Sequence, residues 1–174
     1  MKSYRVSLKP YLQALAARQP APGGGSAAVL SLCMGISLIE KAMQYSSSHS
    51  KRLCRLIVML QVLRKNSLQY IDLDGVVFEQ FIRAEKKRKA IFLKKSDALI
   101  VTVGMTCRKV YVLTEKVESD IKKSIISDFY LGLAFVRVAL CGCVHNLEAN
   151  SVFTGKVNPA MVVFRRYLKQ WQRS

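Results

Sequence analysis

Acidic residues are scarce in this chain. Its 174 residues hold 11 Asp+Glu against 28 Lys+Arg, a formal net charge of +17. Such a bias predisposes a domain to anionic partners: nucleic acid, an anionic membrane surface or a polyanionic small molecule. Proline is sparse too, at four, and three of the nine glycines are consecutive, so long stretches are left unbroken for helix. Period-two alternation is nearly absent, which argues against a sheet. No run reaches the roughly 18 uncharged apolar residues of a membrane span. The longest, residues 27–39 and 98–105, fall short, so no membrane-crossing helix is expected. The opening residues Met1-Lys2-Ser3-Tyr4-Arg5-Val6 lack the apolar stretch of a signal peptide, and the expected location is the cytoplasm.

The five cysteines (Cys33, Cys54, Cys107, Cys141, Cys143) form no CxxC, and His49 and His145 stand at no ligand spacing to them. On a helix Cys141 and Cys143 diverge by about 200°, too far to share an ion. No metal site is expected, and the thiols read as reduced and buried.

What is present is apolar and helical. At 51% hydrophobic and 22% charged the chain is globular, and its length suits one domain spanning 1–174. A first helix is expected over 3–18, with Val6, Leu8, Tyr11, Leu12, Leu15 and Ala16 as its apolar surface, or only from Lys9 if Pro10 interrupts it. After Gln19-Pro20-Ala21-Pro22-Gly23-Gly24-Gly25, Ser26 suits an N-cap for a second helix over 27–44, which is apolar all round and therefore central. A third, over 51–83, shows the stripe Leu53, Leu56, Leu60, Leu63, Leu68, Ile71, Phe78 and Phe81. A fourth covers 89–118 on Ile91, Leu99, Val103, Val110 and Leu113, and a polar link follows over 120–126. Ser127 suits the cap of a fifth, to Ala149, and Asn158-Pro159 opens a sixth. The sum is an all-α bundle of about six helices.

The most unusual segment is Pro20-Ala21-Pro22-Gly23-Gly24-Gly25-Ser26. Three glycines before a helix let another group approach the open N–H groups at its positive end. An ordinary interhelical turn reads equally from the residues alone. The spacing is neither a Walker loop nor a dinucleotide fingerprint.

Four anchors in order now resemble the cyclodeaminase/cyclohydrolase family. They are the helix Tyr11-Leu12-Gln13-Ala14-Leu15-Ala16 running into Pro20–Ser26, the pair Asp72-Leu73-Asp74 with Phe78, the pair Ser127-Asp128, and Asn146-Leu147-Glu148-Ala149-Asn150. Two stretches differ from the pattern. Arg83-Ala84-Glu85-Lys86 stands where members have a Pro-Lys turn, and Ser46-Ser47-Ser48-His49-Ser50-Lys51 where they have a Gly-Lys-Lys-Tyr-like segment.

The resemblance implies an all-helical homodimer acting on a reduced folate, polyglutamylated or not, with no cofactor beyond that tetrahydrofolate-derived substrate. The implied reaction is cyclodeaminase or cyclohydrolase chemistry. Implied catalytic groups are Asp74, Asp72 and Asp128; implied substrate-binding residues are Gly23, Gly24, Gly25, Ser26, Ser127, Asn146 and Asn150. Position then ranks the aspartates. Asp74 lies three after Ile71 and four before Phe78, on the buried stripe, and Asp72 falls off it. A carboxylate facing a core is costly unless partnered or lining a cavity, so Asp74 leads, with a capped or salt-bridged aspartate as the plain alternative. Asp128 also reads as a helix-start residue, and Asn146 and Asn150, four apart, share a helix face. His145 beside them is available as a proton carrier. The competing reading is a catalytically silent basic scaffold for nucleic acid or assembly, although no helix-turn-helix or RNA-binding aromatic motif supports nucleic acid.

Overall fold

The computed structural model describes residues 4–48 and 50–171. His49, and the Ser3 start expected for the first helix, lie outside them. Among the described residues there are six α-helices and no strand: α1 (Tyr4–Ala16), α2 (Gly24–Ser46), α3 (Lys51–Arg83), α4 (Lys86–Thr114), α5 (Ile126–Thr154) and α6 (Pro159–Gln170). Two single 3₁₀ turns, Glu118–Asp120 and Lys123–Ile125, link α4 to α5.

Helix boundaries follow local chemistry. α1 runs through Pro10 instead of starting near Lys9, and it ends at Ala16, short of residue 18. Proline withdraws only the bond to the Val6 carbonyl, and every residue from Tyr4 to Pro10 is exposed, so water can satisfy that group. The Ser50 hydroxyl accepts from the Leu53 N–H, 3.2 Å, and sets the start of α3. Asn158 does the same for α6 through Ala160 N–H, 3.0 Å, with Pro159 just inside. Ser127 is no cap: α5 begins at Ile126 with Ile125 at the cap position and no side-chain bond there. α5 runs past the expected Ala149 to Thr154, where Gly155, at φ 65°, takes the left-handed conformation that ends it. α4 starts at Lys86, three residues early, because Ala84 and Glu85 alone, both extended, reverse the chain. It ends at Thr114, short of residue 118.

α2 is the central helix, as its composition requires. Leu32, Ile36, Ile39 and Met43 are all 0% exposed, each worth about 1.5–3 kcal/mol of apolar burial. α5 lies antiparallel to it, since the neighbours Gly24–Asn146, Ala28–Gly142, Ile39–Gly132 and Lys41–Asp128 step in opposite directions. The approach is close because side chains are missing. A Cβ on Gly35 would stand 2.6 Å from the Gly132 carbonyl oxygen, and one on Gly142 would stand 2.8 Å from the Ala28 Cβ. α3 covers another side of α2. There Glu40, 4% exposed, receives two bonds from the Arg64 guanidinium, at 2.8 and 3.2 Å.

Four expectations need correction. The inward face of α3 is Leu53, Ile57, Leu60, Ser67, Gly75, Val77 and Phe81, whereas Leu68 and Phe78 point outward. Over 33 residues a stripe drawn through large apolar residues departs from the 3.6-residue period, and small Ser67 and Gly75 hold the contact instead. Ile91 of α4 is likewise exposed. Cys54 is exposed and Cys141 half-buried, whereas Cys33, Cys107 and Cys143 lie in the core, where burial pushes the Cys33 thiol up to about 11. Finally, α2 and the stretch Lys123–Thr154 are each long and apolar enough to cross a membrane. Counting only unbroken apolar runs hid this, because the helix turns small hydroxyls back on itself, as Ser31 and Ser37 donate to the carbonyls of Ala27 and Cys33. α2 meets the criterion as the core helix of the bundle; α5 meets it with much of its apolar surface uncovered.

The glycine seam has a measurable consequence. Gly35→Ala should cost about 1–3 kcal/mol, the usual penalty of overpacking, even though alanine is the better helix former. Gly24→Ala, whose Cβ would meet nothing nearer than 3.6 Å, should cost nothing comparable. Urea unfolding of both variants checks this, and equal stabilities would refute the close approach of α2 and α5.

Candidate active site

The chain enters α2 through an extended Gly23, after a cis Ala21–Pro22 peptide. Ser26 is therefore not the cap. It is the third residue inside the helix and fully buried, with its Oγ 3.1 Å from the Tyr11 hydroxyl. Gly23 has no side chain to satisfy the first N–H groups of α2. A carboxylate from another helix does so: Asp74 of α3 accepts from the Ser26 N–H at 3.0 Å through Oδ2. This is an N-cap supplied in trans along the chain, anionic and therefore matched to the positive end of the helix.

The glycine run makes room for it. A Cβ on Gly25 would overlap the Asp74 carboxylate, 2.3 Å from Oδ1, and one on Gly75 would press on Ala21 at 2.9 Å. Asp74 is half-buried, and that burial holds its carboxyl above the ordinary range, with the Ser26 N–H pulling the other way.

Asp72 is exposed, as its place off the stripe implies. It lines a cleft of about 290 Å³ between α1 and α3, together with Tyr11, Pro22, Ser26 and Glu79. Asn146 of α5 lies beside Gly24, outside that cleft. Its amide lies 3.6 Å from where a Cβ on Gly24 would stand, and its Nδ2 donates to the Gly142 carbonyl at 2.8 Å. Asn150, one turn further, turns to α4 and donates to Ser96 Oγ at 3.1 Å and to Asp97 Oδ1 at 2.8 Å. The other oxygen of Asp97 accepts from Asn158, 3.0 Å, so one carboxylate ties α4, α5 and the start of α6 together.

Gly23–Ser26, Asp74, Asp72 and Asn146 thus converge at one end of the bundle. Ser127 and Asp128 do not join them. Asp128 pairs with Lys41 at 2.7 Å, about 22 Å along α2 from Ser26 at the helical rise. His145 faces outward beside Glu148, 3.0 Å, whose carboxyl is held below the usual range by Arg165 first and His145 second. Among the described residues no three His, Cys, Asp or Glu gather as metal ligands. Sequence reasoning missed Tyr11, Glu79 and Asp97. Only Asp97 carried a signal, a carboxylate directly before the apolar run 98–101.

A glycine-floored helix start, a carboxyl with a raised pKa and an adjacent amide together suit proton transfer to a bound polar ligand. The helical scaffold carrying them is that of a cyclodeaminase. It superposes with a TM-score of 0.77 on the crystal structure of formiminotetrahydrofolate cyclodeaminase from Thermotoga maritima, at 18% identity, covering 95% of this chain and 86% of that one. Residues 7–154 match the formiminotransferase-cyclodeaminase family model, and the chain belongs to that family. A comparison with curated protein sequences finds no match.

The raised Asp74 carboxyl carries a stability prediction. A carboxyl whose pKa rises on folding favours the fold below its ordinary value of about 3.9, and that contribution is lost as pH climbs through the folded pKa. Asp74→Asn keeps an acceptor oxygen for Ser26 and cannot ionise. Relative to wild type it should gain stability from pH 3 to pH 7, read from urea midpoints. A difference that shrinks toward neutral pH would mean that the Ser26 bond, not burial, governs Asp74.

Proposed function

We propose that this chain acts on a reduced folate, as a cyclodeaminase of formiminotetrahydrofolate or a cyclohydrolase of methenyltetrahydrofolate, with Asp74 as general acid and base. The observation that supports the reading is the half-buried Asp74 carboxyl lying over Gly25 at the positive end of α2. Both reactions pass through a tetrahedral one-carbon centre between two nitrogens and need a proton moved on each side of it. In the first, N10 attacks the formimino carbon, a proton passes from N10 to the departing nitrogen, and ammonia leaves as the ring closes. In the second, water adds to the methenyl carbon, loses a proton, and the ring opens to the formyl product. A carboxyl raised toward the working pH serves both transfers. Asp72, on the cleft wall, offers negative charge to the cationic amidinium. Gly23, Gly24 and Gly25 leave backbone N–H groups accessible to a polar substrate edge, with Asn146 beside them. Asn150 is held toward α4, and Ser127 and Asp128 take no part within one protomer. The chemistry as written needs no redox cofactor and no metal.

Two further features belong to this reading. The charge of +17 attracts a glutamate tail, most of all a polyglutamate, within a Debye length of about 8–10 Å. The uncovered apolar face of α5, with Leu131 and Val138 half-exposed or more, supports a homodimer.

Asp74→Asn should lower turnover about 10²–10⁴-fold, the contribution of a positioned acid or base, and Asp72→Asn should do less. Unchanged turnover in Asp74→Asn would remove its catalytic role. Absence of turnover on both folates in the wild type, with tight salt-sensitive RNA binding, would establish the scaffold reading instead. Affinity should rise with glutamate-tail length and fall with salt, and equal affinity for mono- and polyglutamates would exclude the tail contact. Sedimentation at micromolar concentration should show a dimer.

A further inference from the structure

Away from the candidate active site, the outer face of α4 is a groove of about 590 Å³. Its floor is Val101, Met105 and Val112, and Leu63 of α3 forms a wall. On the α6 side the Arg108 guanidinium stacks over the Tyr167 ring, 5.0 Å from its centroid. From Val101 to Leu113 the groove is about 18 Å long at the helical rise, the length of three helical turns. Its apolar surface is open: Met105 and Val112 are 45% and 53% exposed, and Met59, one turn before Leu63, is 41% exposed.

The charge around it has one sign. Residues 51–71 of α3, residues 98–114 of α4 and all of α6 contain no Asp or Glu. Lys65, Arg108, Lys109, Arg166 and Lys169 are exposed on these three helices.

We propose that this groove docks an acidic amphipathic helix of another protein. The partner's apolar residues, spaced i, i+4, i+7 and i+11, would run along Val101, Met105 and Val112, and its carboxylates would flank them toward Lys65 and Lys109. The charge selects this occupant over a second copy. A second copy docking by the same face would set an acid-free surface against itself, with cations opposed and no carboxylate to pair them. Met105 on the floor suits a flexible, repackable contact. The groove shares no residue with the Asp74 site, so the inference stands apart from the folate reading.

The probe is a fluorescein-labelled 18-residue helical peptide with leucines at i, i+4, i+7 and i+11 and glutamates on both flanks, titrated by anisotropy at 150 mM salt. Wild type should bind it. Met105→Glu and Lys109→Glu should each weaken binding about tenfold or more, a loss typical of a central contact. Lys86→Glu, the same charge change at the start of α4, should leave it nearly unchanged. All three sites are exposed, and circular dichroism verifies the folds. A shuffled peptide of the same composition binding equally well, or Lys86→Glu weakening binding as much as Lys109→Glu, would reduce the effect to net charge and overturn the proposal. Loss of self-association in Met105→Glu would give the groove to a second copy, and loss of anionic-vesicle binding in that variant would give it to a membrane; either also overturns it.

Discussion

How closely α2 and α5 approach decides the rest of this bundle. Glycine at 35, 132 and 142 removes the side chains that would hold the two helices apart, so backbone meets backbone along the seam. The antiparallel pair then forms a rod to which the other elements attach. α3 joins through the Glu40–Arg64 pair, α4 and α6 through the Asp97 bonds, and Phe164 lies against Gly104. Every group at the Asp74 end takes its position from this rod, because Gly24 and Asn146 meet only if the register of α2 against α5 is fixed.

At that end one carboxylate does two things. Asp74 accepts from the Ser26 N–H in the first turn of α2, and in the reaction proposed above it also moves a proton. These are usually supplied by separate residues, a local Ser or Asp for the cap and a distant acid for chemistry. Here the glycine run cannot cap itself, so α3 provides the acceptor. The same dependence explains why Gly25 carries no side chain: any Cβ would displace the carboxylate that secures the helix start.

Much of this was legible in the sequence. The span of α3, the centrality of α2 and the Asn158-Pro159 start of α6 follow from period, cap chemistry and composition, which act over a few residues; Asp74 is half-buried although Phe78, which placed it on the stripe, points outward. What was not legible depends on pieces far apart in the chain. Ser26 looked like a cap because nothing near it in sequence reveals that an aspartate 48 positions later takes that role. Leu68 and Phe78 looked inward because they are large, but the tertiary contact uses Ser67 and Gly75. Ser127-Asp128 does lie in the first turn of α5, but the ion pair of Asp128 with Lys41 appears only once α2 and α5 lie side by side. The family resemblance drew attention to the right segments and carried no information on which of them share an end of the bundle.

The two duties proposed for Asp74 would have an evolutionary consequence. A lineage that stopped turning over substrate would relax selection on the reaction, yet folding would still demand an acceptor over the first turn of α2. Aspartate or asparagine would therefore persist at position 74 in descendants with no chemistry left, and so would the glycine beneath it. Asp72, the exposed neighbour with no part in the fold, would be the first of the two to drift.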